Sequence, residues 1–157
     1  MPQYQLAVDK ATFAKYQAMA ASLRDAYNEY ILINGKGTRK FEDLSFTLPT
    51  DFQSSYTSGA FNCVSGNEMF CCISDAANSH SAAIMCGKND LSFAYSENFL
   101  SKTGDNIKRA ENCRAAKNNT RAHRLCSSVG TQSGETNSYN LWTPQGLKTR
   151  YTKYILN

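Results

Sequence analysis

The sequence predicts an α+β fold in which a long N-terminal amphipathic helix packs on a small antiparallel β-sheet, followed by a C-terminal region stapled by disulfides. Three observations support this prediction. An apolar stripe with spacings of three and four residues runs through residues 1–34. Short apolar runs separated by turn residues follow it. All six cysteines lie in the later part of the chain. With 157 residues, 41% of them hydrophobic, residues 1–157 are expected to form one domain with a real core.

The first element is a helix over residues 1–34, the spine of the domain. Pro2 suits the first helical turn, where its missing N–H costs nothing, and Asn34-Gly35 is a typical helix stop. Two rows of mostly apolar side chains, each repeating every seven residues, form the stripe that should be buried. The rows are Leu6, Phe13, Ala20 and Tyr27, and Tyr16, Leu23 and Tyr30.

The middle of the chain is predicted to change from turns to strands. Residues 35–62 form a connector, in which the Ser/Thr cluster at 54–58 is typical of turns. Residues 63–157 hold the sheet and the C-terminal region. The apolar runs 69–73 and 82–86 flank a polar segment and predict an antiparallel hairpin.

The C-terminal part is predicted to hold a second helix and two strands. Residues 107–128 show a rough helical pattern, interrupted near Asn118 and Asn119. Residues 138–142 and 149–156 carry aromatic and aliphatic side chains typical of short strands. A turn containing Pro144 and Gly146 would join them.

The six cysteines predict three disulfides of an oxidising compartment, because no C-x-x-C motif or zinc-type Cys/His spacing is present. Cys113 and Cys126 bracket the second helix, whose interruption lets the chain fold back and join them. The other four are expected to pair among themselves, and they are Cys63, Cys71, Cys72 and Cys86. Neighbouring strand residues face opposite ways. One of Cys71 and Cys72 should therefore meet Cys63 and the other Cys86, and both combinations stay open.

The net charge of +4 is concentrated in residues 101–126, which carry seven basic and two acidic side chains. One interpretation is a solvated helix face. The other is a basic surface for an anionic partner such as DNA or a polyanionic surface. Its residues would be Lys102, Lys108, Arg109, Arg114, Lys117, Arg121 and Arg124.

No catalytic, phosphate-binding or metal-binding motif is found in the sequence, so we predict no catalytic residue, no cofactor and no metal. His80 and His123 are expected to be structural or solvent-facing. The alternative from the enzyme class is a small secreted hydrolase such as a nuclease, with one of these histidines beside a Lys or Arg. A further alternative is a secreted, adhesin-like binding module.

Three stretches resemble type IV pilins. Residues 2–11, Pro-Gln-Tyr-Gln-Leu-Ala-Val-Asp-Lys-Ala, resemble the segment that follows the membrane-spanning part of those proteins. The pilin run Tyr…Asn-Gly-x-x-Thr…Phe…Leu…Leu-Pro is matched by Tyr30, Asn34, Gly35, Thr38, Phe41, Leu44, Leu48 and Pro49. Residues 121–130 resemble the late helix-and-turn segment of the disulfide-containing members.

The resemblance implies a type IV pilin-like head without the apolar half-helix, a structural subunit of a bacterial surface filament for adhesion, motility or DNA uptake. Its partners would be other pilin subunits in a helical filament. Before assembly, the half-helix would hold it in the inner membrane. We expect the native gene to encode that half-helix and Met1 to be an added start. A type II secretion pseudopilin is the nearest alternative. The upstream part of the helix would contact neighbouring subunits through Pro2, Tyr4, Leu6 and Phe13.

Overall fold

The computed structural model describes residues 2–58, 61–76, 81–100, 110–136 and 141–157. Within these ranges the chain has an α+β fold with two α-helices and ten strands. The helices are α1 (Pro2–Asn34) and α2 (Thr120–Val129). The strands are β1 (Ser54–Ser58), β2 (Phe61–Ser65), β3 (Met69–Ala76), β4 (Ser81–Lys88), β5 (Phe93–Leu100), β6 (Ala110–Ala116), β7 (Gly130–Thr136), β8 (Leu141–Trp142), β9 (Lys148–Thr149) and β10 (Tyr151–Leu156).

Eight of these strands form one antiparallel sheet in the order β1-β2-β3-β4-β5-β6-β10-β7, and β8 pairs with β9 separately. The first six strands are neighbours in the chain and in space, so each connection joins adjacent antiparallel strands. The last strand, β10, inserts between β6 and β7. The sheet is therefore larger than the small sheet expected, because β1, β5 and β7 were not recognised in the sequence.

Helix α1 packs along β5. Both rows of the predicted stripe are buried in their central part, from Phe13 at 2% exposure to Tyr27 at 0%. The contact includes three ring pairs, with centroids 5.2–5.9 Å apart. They are Phe13–Tyr95, Tyr16–Phe93 and Tyr27–Phe99. The earlier rings of α1 contact Phe93 and Tyr95, and the later Tyr27 contacts Phe99, so α1 and β5 run in the same general direction.

Apolar clusters cover both faces of the sheet. The larger cluster lies between the sheet and the two helices and includes Leu23, Ile73 and Leu125. The smaller cluster lies on the opposite face and includes Phe70 and Tyr151. A central strand is consequently buried on both sides, which removes the period-2 pattern from its sequence.

The predicted helix over residues 107–128 is wrong in its first half. Residues Ala110–Ala116 form β6, which is paired on both edges by β5 and β10. The interruption at Asn118-Asn119 is the turn between this strand and α2. The Asn119 side chain accepts a hydrogen bond from the Ala122 N–H at 2.9 Å and caps the helix. Residues 107–109 lie outside the described residues.

Two further segments differ in part from prediction. The Ser/Thr cluster at 54–58 was expected to form turns, but it is strand β1. In the tail, β10 lies within the predicted strand 149–156, and β8 covers the last two residues of the predicted strand 138–142. Residues 138–140 lie outside the described residues. The Gly146 N–H donates to the Thr143 carbonyl at 2.9 Å, and the positive φ of 83° makes glycine the favoured residue in this turn.

The structure contains three disulfides. Cys63 lies opposite Cys72 on β2 and β3, and Cys71 lies opposite Cys86 on β3 and β4, so each pair bridges directly across the ladder. Cys71 belongs to the helix-side cluster and Cys72 to the opposite one, as the alternation of strand side chains predicts. Of the two combinations that the sequence left open, the structure has Cys63 with Cys72 and Cys71 with Cys86. The third disulfide joins Cys113 on β6 to Cys126 on α2.

Candidate functional site

The first two turns of α1 form an exposed apolar segment, which we call the N-terminal patch and define as Tyr4 and Val8. Leu6 lies between them in the sequence but on the side of the helix that carries Phe13. Tyr4 is 71% exposed, Val8 is 40% exposed and Leu6 is half-buried. Tyr4 and Val8 are one helical turn apart and lie on the same side of the helix. The patch thus leaves apolar surface in water at the end of the helix where packing against the sheet has ended.

Phe13, which was predicted to join this surface, does not extend it. Phe13 was expected to contact neighbouring subunits, and this is wrong for the domain as described. Its ring is buried against Tyr95 in the domain's own core. Phe13 shares the heptad row of Leu6, and a periodic pattern cannot tell where along a stripe packing stops. The side chain of Pro2 lies outside the described residues.

An ion pair fixes the helix immediately after the patch. The carboxylate of Asp9 receives two hydrogen bonds from Arg121, from Nε at 2.8 Å and from Nη2 at 2.9 Å. Asp9 is 4% exposed and Arg121 lies on α2, so the pair ties the two helices together. Hydrogen bonding and charge from Asp9 raise the pKa of Arg121. The N-terminal patch is therefore held at a defined place relative to α2.

The contact of Asp9 with Arg121 was not predicted from the sequence. A signal was present, because Asp9 lies four residues before Phe13 and so occupies the same side of the helix. A charged residue at a stripe position requires a buried partner. Here that partner is Arg121, which is 112 positions away along the chain.

A second polar network lies between α1 and the sheet. Arg24 Nη1 donates to both carboxylate oxygens of Glu97, at 3.0 and 3.2 Å, and the Glu97 side chain is fully buried. The Tyr95 hydroxyl lies 3.0 Å from Glu97 Oε2 and 2.8 Å from Glu111 Oε1. Burial, then the charge of Glu97, raises the pKa of Tyr95, so the phenol stays protonated and donates. This network anchors the middle of α1.

The predicted basic surface is not formed as one patch. Arg114 is 4% exposed on β6, and its Nε donates to Ser96 Oγ at 2.5 Å, so its assignment to a surface is wrong. The reason is the strand conformation of β6, which is central and buried on both faces. Arg121 is engaged by Asp9. Lys117 and Arg124 are exposed. Three of the predicted residues lie outside the described residues, and these are Lys102, Lys108 and Arg109.

His123 has a structural position. Its Nε2 lies 3.0 Å from the Lys117 carbonyl and must be protonated to donate to it. In the neutral ring, Nδ1 then accepts from the Tyr154 hydroxyl at 2.6 Å. Through these two contacts, His123 links the β6–α2 turn to β10. His80, the other candidate of the hydrolase alternative, lies outside the described residues.

The described ranges hold no group of three or more His, Cys, Asp or Glu side chains placed to bind a metal ion. None of the helices in the described part of the chain is both long enough and apolar enough to cross a membrane. No family model, no curated protein and no solved structure matches this chain.

Proposed function

We propose that this chain is the head of a structural subunit of a type IV pilus, a helical bacterial surface filament. The observation that carries the proposal is the N-terminal patch. It leaves aromatic and aliphatic side chains in water on a helix whose middle turns pack against the sheet. Apolar surface of this kind is stabilised when a partner covers it.

The position of the patch suits a filament. The patch belongs to one end of a 33-residue helix, while the sheet packs against the later turns of that helix. A neighbour that covers the patch with a different surface makes a heterologous contact. Heterologous contacts that do not close into a ring generate helical filaments. In the proposed assembly, an apolar half-helix upstream of Pro2 continues α1 into the filament core.

The disulfides support a location outside the cytoplasm, on the cell surface. Three cystines in a domain of this size are typical of oxidising compartments. They also suit a subunit that must keep its fold without chaperones. A pseudopilin of type II secretion has the same requirements and is the nearest alternative. A secreted hydrolase that uses His123 is less favoured, because both ring nitrogens of His123 are engaged by other groups.

The proposal is tested in the bacterium that carries the gene. Filaments are sheared from the cell surface, purified and analysed by mass spectrometry for peptides of this chain. We expect the chain in the filament fraction. A chain found only as a free secreted or periplasmic protein would contradict the proposal. A chain confined to the secretion apparatus would assign it to the pseudopilus instead.

A variant pair then tests the patch itself. The double substitution Tyr4→Ser with Val8→Ser removes exposed apolar side chains and should reduce filament yield. The matched control is Leu32→Ser with Ile33→Ser, at the other end of the same helix, where the side chains are 70% and 74% exposed. Equal loss of filaments in both variants would reject the assignment of the interface to the patch.

A further inference from the structure

A cationic cleft of about 560 Å³ lies where the β6–α2 turn meets the β9–β10 segment. The Lys117 N–H donates to the Arg150 carbonyl at 2.9 Å, which holds the two segments together. Three basic side chains line the cleft, those of Lys117, Lys148 and Arg150. All three are exposed, and none of the described residues that line the cleft is acidic. The described lining of the cleft therefore carries basic side chains from two distant parts of the chain.

The remaining lining groups are suited to the same kind of ligand. Asn118 supplies an amide that can donate hydrogen bonds, and Thr149 supplies a hydroxyl that donates to the Arg150 carbonyl at 3.4 Å. Asn119 also lines the cleft and is the N-cap of the ten-residue helix α2, so the positive end of the helix dipole lies beside the three cations. Lysine, arginine, asparagine and threonine side chains with a helix N-terminus are the groups that contact phosphates in protein–DNA complexes.

We propose that this cleft binds the phosphodiester backbone of a nucleic acid without regard to base sequence. Its charged lining residues are exposed, so it can contact a polymer that lies across the surface but cannot enclose a small ion. No aromatic residue is found among the described residues that line it, so it offers no platform for stacking bases. The cleft shares Lys117 with the basic surface predicted from the sequence, and Lys148 and Arg150 are new.

The experiment measures binding of the purified chain to a fluorescently labelled DNA duplex by anisotropy. Three phosphate contacts predict a slope of about −2.7 in a plot of log K against log salt concentration. Raising the salt from about 50 to about 200 mM should then weaken binding about 40-fold. The variant Lys117→Gln, Lys148→Gln, Arg150→Gln should bring the slope close to zero and lower the affinity at about 50 mM salt at least tenfold. Two unrelated duplex sequences should bind equally.

The matched control removes the same charge elsewhere. The substitutions Lys15→Gln, Lys36→Gln and Lys40→Gln also neutralise three exposed side chains, and none of them lines the cleft. The control should keep the wild-type slope. Equal loss of binding in both variants, or no binding by the wild type, would overturn the proposal.

Two competitors test the ligand class. Inorganic tripolyphosphate should displace the duplex only at a higher concentration of phosphate groups, because it cannot span the cleft. Displacement at a lower concentration would identify a small-anion site and overturn the assignment to a polymer backbone. A sulfated polysaccharide that binds while DNA does not would likewise overturn the assignment to nucleic acid.

Discussion

Replacing Arg24 with methionine should destabilise the domain by about 3 kcal/mol. The Glu97 side chain is fully buried, and Arg24 donates to both of its oxygens at 3.0 and 3.2 Å. Removing one member of a buried ion pair costs about 3–5 kcal/mol, because the other charge stays buried. We expect the lower end of that range, since Tyr95 still lies at hydrogen-bonding distance from Glu97.

The opposite substitution should cost less. Glu97→Gln removes the buried charge and leaves Arg24, whose side chain is 18% exposed and lies 3.8 Å from Asp25. The expected cost is about 1.5–2 kcal/mol, the lower end of the range for a hydrogen bond to a charged group. The double variant should be more stable than the sum of the single effects predicts, by about 1–2 kcal/mol, because both sites belong to one interaction.

The measurement is the free energy of unfolding in urea without reductant, so that the disulfides stay closed. The control is Asp25→Asn, which should change the free energy by less than about 0.5 kcal/mol, because Asp25 is 77% exposed. A cost below about 1 kcal/mol for Arg24→Met, or additive effects in the double variant, would refute the reasoning.

Three other changes have defined outcomes. Phe13→Ala should lower the free energy of unfolding by about 3–5 kcal/mol, whereas Tyr4→Ala should change it by less than about 0.5 kcal/mol; similar values in urea unfolding would contradict the difference in burial. Replacing Cys71 and Cys86 with alanine opens a loop of 15 residues and should cost about 3 kcal/mol in the same assay, and a stability equal to wild type would speak against this role. Burial raises the pKa of Tyr56 to about 12, so its neutral form is favoured by folding. Below the ordinary tyrosine pKa of 10.0, this shift does not make the free energy of unfolding depend on pH. As the pH rises from 10.0 towards 12, the free energy of unfolding falls, because Tyr56 ionises in the unfolded chain before it ionises in the folded one. In an ultraviolet titration, Tyr56→Phe should remove an ionisation step near pH 12, and loss of a step near 10 would oppose this assignment.

Helix α1 and the hairpin β3–β4 could be predicted because their patterns are local. A stripe such as Phe13, Ala20 and Tyr27 repeats within one element, and a helix end such as Asn34-Gly35 depends on neighbouring residues. Gly35 has the positive φ of 73° that this stop requires. The opposite directions of Cys71 and Cys72 also follow from strand geometry alone.

Strands β5 and β6 could not be predicted because their burial depends on distant parts of the chain. Residues 112–115 of β6 are all buried, so no alternation remains in their sequence. In β5, Glu97 reads as a solvent-facing residue, and its burial depends on a contact with Arg24, which lies 73 positions earlier.

The candidate surfaces show the same limit. Tyr4 was predicted to be available for contact and is exposed, whereas Phe13 on the same helix is buried. Arg114 belongs to a run of basic residues in the sequence, but it is buried on strand β6, where its Nε donates to Ser96 Oγ. The cationic cleft escaped detection because Lys117 and Arg150 meet only after β10 pairs with β6. A count of charges along a window of the sequence cannot detect basic residues that come together only in the folded chain.

The two disulfides of β3 also determine how the domain responds to mechanical force. Fully extended, the stretch from Cys63 to Cys86 would be about 80 Å long. The disulfides join Cys63 to Cys72 and Cys71 to Cys86 with Cα separations of 4.0 and 4.1 Å, and one peptide link connects the two bridges. The covalent path across this stretch is therefore only about 12 Å. When the chain is pulled by its two ends, tension passes through sulfur–sulfur bonds, and strands β2 to β4 cannot be drawn apart by peeling their hydrogen bonds.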